Sequence, residues 1–144
     1  MTTSNIRALD AVRQLNSDDY KTLATFRYAL RRFIVFSETA AVSEGLAPQQ
    51  HQALLAIKAM PEAPSVGDIA ERLMIRHHSA VELVGRLVRM GLVERLSDLS
   101  DRRRVRVSLT PLAEHKLAEL SAAHLEELRA IRPLLAGLLK HFDN

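Results

Sequence analysis

In a chain of 144 residues that otherwise reads as helix, one stretch alternates. LVERL (92–96) and RVRVSL (104–109) hold apolar positions two apart or nearly so, and the polar turn SDLSD (97–101) separates them. That spacing predicts a β-hairpin. Its place in the order of elements constrains the fold strongly: it comes after three shorter helical segments, and a long helix lies at each end. Helix, helix, helix, hairpin inside a helical frame is the order of a winged helix-turn-helix.

The helical segments follow from caps and breakers. Residues 1 to about 16 read as a loose or short helical arm. Ser17 before Asp18 and Asp19 is placed as an N-cap with acids in the first turn, and the helix should reach Glu44, where Gly45 ends it. At about 1.5 Å per residue this rod is roughly 40 Å long. Leu23, Phe26, Tyr28, Leu30, Phe33, Ile34 and Phe36 are spread around it, so it needs cover on most sides. A monomer this small can hardly supply that, which points to a partner subunit. Pro48 opens a second helix, PQQHQALLAIKAM, and PEAP is a linker. Ser65 with Asp68 approximates a capping box for a short helix through Leu73. A fourth helix runs from about Arg76 to Met90, with Gly91 at its end. Thr110-Pro111 caps a long helix carrying Leu117, Leu120, Leu125 and Leu128 at helical spacing, and Pro133 is expected to interrupt it before a short final helix to about Phe142.

With 47% hydrophobic and 26% charged residues the chain is globular rather than disordered. It has no cysteine, which excludes disulfides, thiolate metal sites and thiol nucleophiles. The N-terminus MTTSNIRALDAV lacks a charged-then-apolar signal segment and no apolar run is long enough to cross a bilayer, so the chain is expected in the cytoplasm. A net charge of +3 with an arginine cluster at 102–104 and 106 suggests a polyanionic partner, or else merely keeps the chain soluble, and position must decide between the two.

In the fourth helix Ala80, Leu83, Val84, Leu87 and Val88 form one apolar face, and the opposite face carries His78, Ser79, Glu82, Gly85, Arg86 and Arg89. Arg76, His77, His78, Ser79 and Glu82 are therefore candidate readers of base edges in a major groove. Glu82 has an equal alternative as an i, i+4 partner of Arg86. In the hairpin, Val105, Val107 and Leu109 should face inward and Arg104, Arg106 and Ser108 outward. Arg102 and Arg103 follow Asp98 and Asp101 at the tip, the arginines suiting phosphate and a narrow minor groove and the aspartates serving as braces.

The stretch SVGDIAERLMIRHHSAVELVGRLVRMGLVERLSDLSDRRRVRVSLTP resembles the core of the MarR family of bacterial transcription regulators. The shared marks are the I-A-x-x-L helix, R-L-V-x-x-G-L-V-x-R, and a D-x-x-D-R-R wing followed by x-L-T-P; the likeness extends from about Ser17 to the C-terminus. It implies a mainly α fold with a small hairpin wing: one domain over 1–144, with dimerisation helices at 17–45 and 110–144 around a winged lobe at 46–109. It further implies a homodimer on a palindromic operator of double-stranded DNA, acting as a repressor. Asp101 and Arg103 would be the bracing pair, with Arg102 or Arg103 in the minor groove. Glu82 stands where many members have a basic residue, Leu99 where many have proline, and Ala113 where glycine is frequent.

By the same resemblance a small aromatic acid would release the DNA, with Phe26, Tyr28, Arg31 and His51 as candidate pocket residues and Arg31 suited to its carboxylate. Zinc is a lesser reading of His77-His78 with Glu82 and of His115 with Glu119, since two ligands do not close a tetrahedral site. No cofactor is expected. The chain lacks a glycine-rich phosphate loop, a His-Glu-x-x-His pair and a serine elbow, so no enzyme is expected. The rival reading is a winged helix that grips an acidic protein with the same arginines.

Overall fold

The computed structural model describes residues 7, 8, 12, 14–101 and 103–143; most of the expected N-terminal arm, and Arg102, lie outside them. Helix α1 spans Ser17–Ser43, α2 Pro48–Ala59, α3 Val66–Leu73 and α4 His77–Arg89. Strands β1 (Val93–Ser97) and β2 (Val105–Leu109) pair antiparallel, and α5 (Pro111–Lys140) leads into a 3-10 turn at His141–Asp143. This is a winged helix-turn-helix with a long helix on each side of it in sequence. The chain divides into two compact units, Ser37–Leu125 and the pair Met1–Phe36 with Glu126–Asn144. No helix among the described residues is long and apolar enough to cross a membrane.

Reciprocal side-chain caps start α1 and α3. The Ser65 hydroxyl accepts from the Asp68 amide at 3.1 Å while the Asp68 carboxylate accepts from the Ser65 amide at 2.9 Å. The α1 box sits one residue earlier than expected. Asn16, not Ser17, caps it: the Asn16 side-chain oxygen accepts from the Asp19 amide at 3.0 Å, and Asp19 accepts from the Asn16 amide at 2.9 Å. An amide oxygen three residues before a carboxylate closes the same ring as a hydroxyl would.

Three helices end by one device. At the end of α1 the Gly45 amide bonds to the Val42 carbonyl and the Leu46 amide to the Ala41 carbonyl; α4 repeats this with Gly91 on Val88 and Leu92 on Leu87. Both glycines are left-handed, at φ +77° and +72°, as such an ending requires. The end of α3 has the same pair of bonds, Met74 to Glu71 and Ile75 to Ala70, but its left-handed residue is Met74 at φ 55°. The turn between the two helices of the motif thus carries a side chain that is 93% exposed on a backbone that disfavours it.

Within the Ser37–Leu125 unit, Leu54, Ile57, Ile69, Leu83, Val84, Leu87, Leu92, Val93, Val107, Leu117 and Leu120 form one buried cluster. The expected buried face of α4 is in place at Ala80, Leu83, Val84 and Leu87, with Val88 half-buried. Of the three β2 residues expected to face inward only Val107 is fully buried; Leu109 is half-buried and Val105, at the strand's outer end, is 41% exposed.

In the other unit, Phe26 and Phe142 meet edge to face at 6.0 Å and His141 Nε2 lies 2.9 Å from Asp19 Oδ1. Leu23, Tyr28, Leu30 and Ile34 of α1 remain exposed, as do Leu134 and Leu139 of α5. Pro133 does not break α5, which runs unbroken to Lys140. Proline gives up the bond to the carbonyl four residues back, Arg129, and crowds it with its ring, but both residues are exposed, so the carbonyl can tilt outward and take a water instead.

Replacing Met74 by glycine should relieve the left-handed residue without removing buried surface. A gain of about 0.5–1 kcal/mol is expected, raising the thermal midpoint by roughly 2–3 °C. A calorimetric midpoint that falls would show that the Met74 side chain makes a contribution its exposure hides.

Candidate nucleic-acid interface

Helix α4 buries one stripe and turns the other outward. Arg76 stands at its N-cap and its side chain makes no cap bond to the first amides of α4. His77, His78, Glu82 and Arg86 are exposed and Ser79 is half-buried. No Glu82–Arg86 ion pair forms among the described residues, so Glu82 is not held by its own helix.

The wing is tied to the helices through its second strand. The Val107 amide donates to the Pro64 carbonyl at 2.8 Å, and Ser65 and Arg106 form an isolated bridge. Arg106, expected to point outward with Arg104 and Ser108, is turned back. Its Nη1 donates to the Ala63 carbonyl at 2.7 Å and its Nε to Asp98 Oδ2 at 3.1 Å, leaving its side chain 26% exposed. Val107 is buried as expected, but Val105 is exposed and Ser108 half-buried, and the linker before α3 lies along β2 and offers a carbonyl where solvent was anticipated. Arg106 is a structural clasp.

Asp98 organises the tip. Its Oδ1 accepts from the Ser100 hydroxyl at 2.7 Å, the Ser100 amide at 2.9 Å and the Asp101 amide at 3.4 Å. Those Ser100 bonds chiefly, with Arg106 and the Asp101 amide, lower its pKa from 3.8 to about 2 against an opposing effect of burial. Asp101 accepts from the Arg103 backbone amide at 3.0 Å. The brace to Asp101 is therefore the Arg103 main chain, whereas the guanidinium brace belongs to Asp98 and Arg106. Arg103 and Arg104 stay exposed; Arg104 has only Asp68 at 4.0 Å.

Folding brings distant residues together. His77, Ser65, Gly67, Arg103 and Arg104 line one open groove of about 410 Å3, between the N-terminal ends of α3 and α4 and the wing. A second open cavity, of about 440 Å3, lies along α4 and holds Glu82, Arg86, Arg89 and Arg95. Arg95 closes the R-L-V-x-x-G-L-V-x-R motif, but nothing in that motif says which surface its guanidinium reaches. The hairpin register is the missing signal: Arg95 pairs with Val107, on the face that packs against α4.

Residues 44–104 match the model of the MarR family. The winged lobe is a MarR-family one. No curated protein matches the chain. Among solved structures, a point mutant of Staphylococcus aureus MepR bound to an oligodeoxyribonucleotide is 18% identical with a TM-score of 0.68, covering 90% of this chain and 98% of that one. The MarR repressor of Listeria monocytogenes is 23% identical with a TM-score of 0.65, over 88% and 99%. A probable transcriptional regulator from Pseudomonas aeruginosa is 27% identical with a TM-score of 0.60, over 81% and 92%. The chain has the mainly helical, single-wing fold of MarR transcription regulators.

The four pocket candidates fall in both units. Phe26 is half-buried, and Tyr28 and Arg31 are exposed, all in the unit that contains the start of α1. His51 is buried in the winged unit, its ring 5.0 Å from that of His124. His124 bonds through Nδ1 to the Leu120 carbonyl and through Nε2 to Ser37 Oγ, at 2.6 and 2.7 Å. Burial chiefly, and the neighbouring His124, hold the His51 pKa below 6.5. The metal candidates place no group of three ligands together among the described residues, and His115 faces Glu119 at 3.3 Å instead.

Two pH dependences follow from these environments. Because the Asp98 pKa is depressed, its stabilisation is complete above the ordinary carboxylate range and drains away as pH falls toward about 2. The Ser100 amide resonance should titrate with that midpoint and lose the titration in Asp98→Asn; a midpoint at the ordinary 3.8 would mean an unengaged carboxylate. For His51 the unfolded chain takes the proton first, so stability should fall as pH drops below 6.5. Thermal midpoints of His51→Gln should depend less steeply on pH across this window than those of the parent chain.

Proposed function

We propose that this chain is a homodimeric, sequence-specific DNA-binding repressor of the MarR type that clasps a palindromic operator. The observation that carries the reading is the groove in which the uncapped start of α4 and the exposed wing arginines converge. Amides left free at a helix start favour phosphate oxygens, and the side chains beside them, Arg76, His77, His78, Ser79 and Glu82, present donors and acceptors suited to base edges. Arg103 and Arg104, neither clamped by a close carboxylate, supply the cations for the flanking minor groove, and Arg102, next to them in sequence, is proposed to join them. Arg106 serves the grip by holding the wing in place. The MepR relative bound to an oligodeoxyribonucleotide supports the same use of the fold here.

The exposed Leu23, Leu30, Ile34, Leu134 and Leu139 support self-association, since a lone chain would leave this apolar surface in water. A dimer would place two recognition helices about one helical turn of DNA apart, roughly 34 Å. A small aromatic carboxylate is the proposed releasing ligand, with exposed Arg31 as its available cation. Calorimetric titration with a panel of such acids, showing neither heat nor loss of DNA binding, removes that part of the proposal.

Gel-shift titrations test the rest. Arg103→Ala should weaken binding to most duplexes by about 1 kcal/mol or more and reduce its salt dependence. His78→Ala should mainly change which sequence is preferred, by about 1–3 kcal/mol at the affected base pair. The reverse pattern overturns the groove assignment, and indifference to duplex DNA at low salt favours the rival in which the arginines grip an acidic protein.

A further inference from the structure

On the outer face of α4, Gly85 lies between Glu82 and Arg89. A Cβ placed on it would stand 3.5 Å from Arg89 Nη1 and 3.7 Å from Arg95 Nη2. Two guanidinium groups, one from the helix and one from β1, thus converge on one bare point of helix surface, and Arg86 lines the same cavity. None of these three arginines has an ion-pair partner among the described residues, and Glu82 offsets only one of their charges.

The convergence follows from the fold. Arg95 pairs in register with Val107, on the apolar face of the hairpin that packs against α4. Arg95 is exposed, and its guanidinium lies beside Gly85. Like charges held at one point repel unless an anion sits between them, and planar forks of N–H donors match the oxygens of a phosphate. Glycine inside a 13-residue helix costs stability relative to alanine. What it provides here is closer approach to the helix surface.

We propose that Arg86, Arg89, Arg95 and Gly85 form a seat for one backbone phosphate of the bound duplex. The inference rests on the DNA-binding reading above and adds a third anchor to the start of α4 and the wing. His78, Glu82, Arg86 and Arg89 fall along one stripe of the helix. At about 1.5 Å per residue, Arg86 lies roughly 12 Å beyond His78. That is on the order of the major groove's width, about 12 Å. While the start of α4 meets base edges, the phosphate chain bordering the groove comes within reach of the seat.

The test is equilibrium binding of the full chain to a selected operator duplex across a salt series, for the parent, Arg95→Gln and Gly85→Ala. Arg95→Gln should weaken binding about fivefold to tenfold and lower the slope of log affinity against log salt by about one per lobe. The methyl of Gly85→Ala meets only ordinary van der Waals neighbours and improves helix propensity, so its thermal midpoint should hold or rise while DNA binding weakens. An unchanged salt slope in Arg95→Gln, or parental affinity in a folded Gly85→Ala, overturns the seat and leaves the DNA-binding reading standing. Loss of salt-dependent duplex binding in the parent chain overturns both. Inorganic phosphate, titrated by NMR, separates the two sources of the anion. Saturable binding that Arg95→Gln abolishes, with the DNA salt slope untouched, assigns the pocket to a free anion and sinks the proposal.

Discussion

Burial of one stripe of α4 governs what the molecule can present. Ala80, Leu83, Val84 and Leu87 sink into the core of the winged unit, and helical geometry then leaves His78, Glu82, Arg86 and Arg89 nowhere to go but outward. Each large apolar side chain is worth about 1.5–3 kcal/mol when fully buried. A solvent-exposed ion pair is worth far less, typically under about 1 kcal/mol. The core therefore orients the polar face, and the polar face has little power to reorient the helix.

The wing depends on a different kind of interaction. A two-stranded hairpin has too little apolar surface to stand alone. Here it is fastened along one edge by the Val107–Pro64 backbone bond and the Arg106 guanidinium, which spans the Ala63 carbonyl and Asp98. Asp98 in turn gathers the Ser100 hydroxyl and two amides of the tip. Lysine could not reproduce the clasp, since one ammonium lacks two donors set at a fixed angle. The consequence is a division of labour among neighbouring arginines: Arg106 is spent on holding the tip, while Arg103 and Arg104 remain exposed, Arg104 with only Asp68 at 4.0 Å.

Much of this was legible along the chain. Apolar period, capping pairs and the two glycines located the helices and the hairpin, because each of those signals acts over a few residues. The errors were local substitutions of one device for another. Asn16 took the cap expected of Ser17, and Pro133 sat where a missing amide hydrogen bond costs little. The site was less legible. Alternation on β2 put Arg106 on the correct face, but nothing in the strand reveals that a linker more than 40 residues earlier lies against that face. Arg95 stood in the R-L-V-x-x-G-L-V-x-R motif, but its surroundings were hidden for the same reason: it lies beside Gly85, and only the register of β1 against β2 and the packing of β1 on α4 bring them together.

By itself the sequence determined the order and type of the elements, the buried stripe of α4 and the cationic character of the wing, all of which follow from the spacing of apolar, capping and charged residues over short range. Only the tertiary structure decided which arginines are committed and which are available, and which charges converge. Those outcomes turn on hydrogen bonds and approaches of a few ångströms between segments far apart in the chain, and such distances exist only once the core has closed.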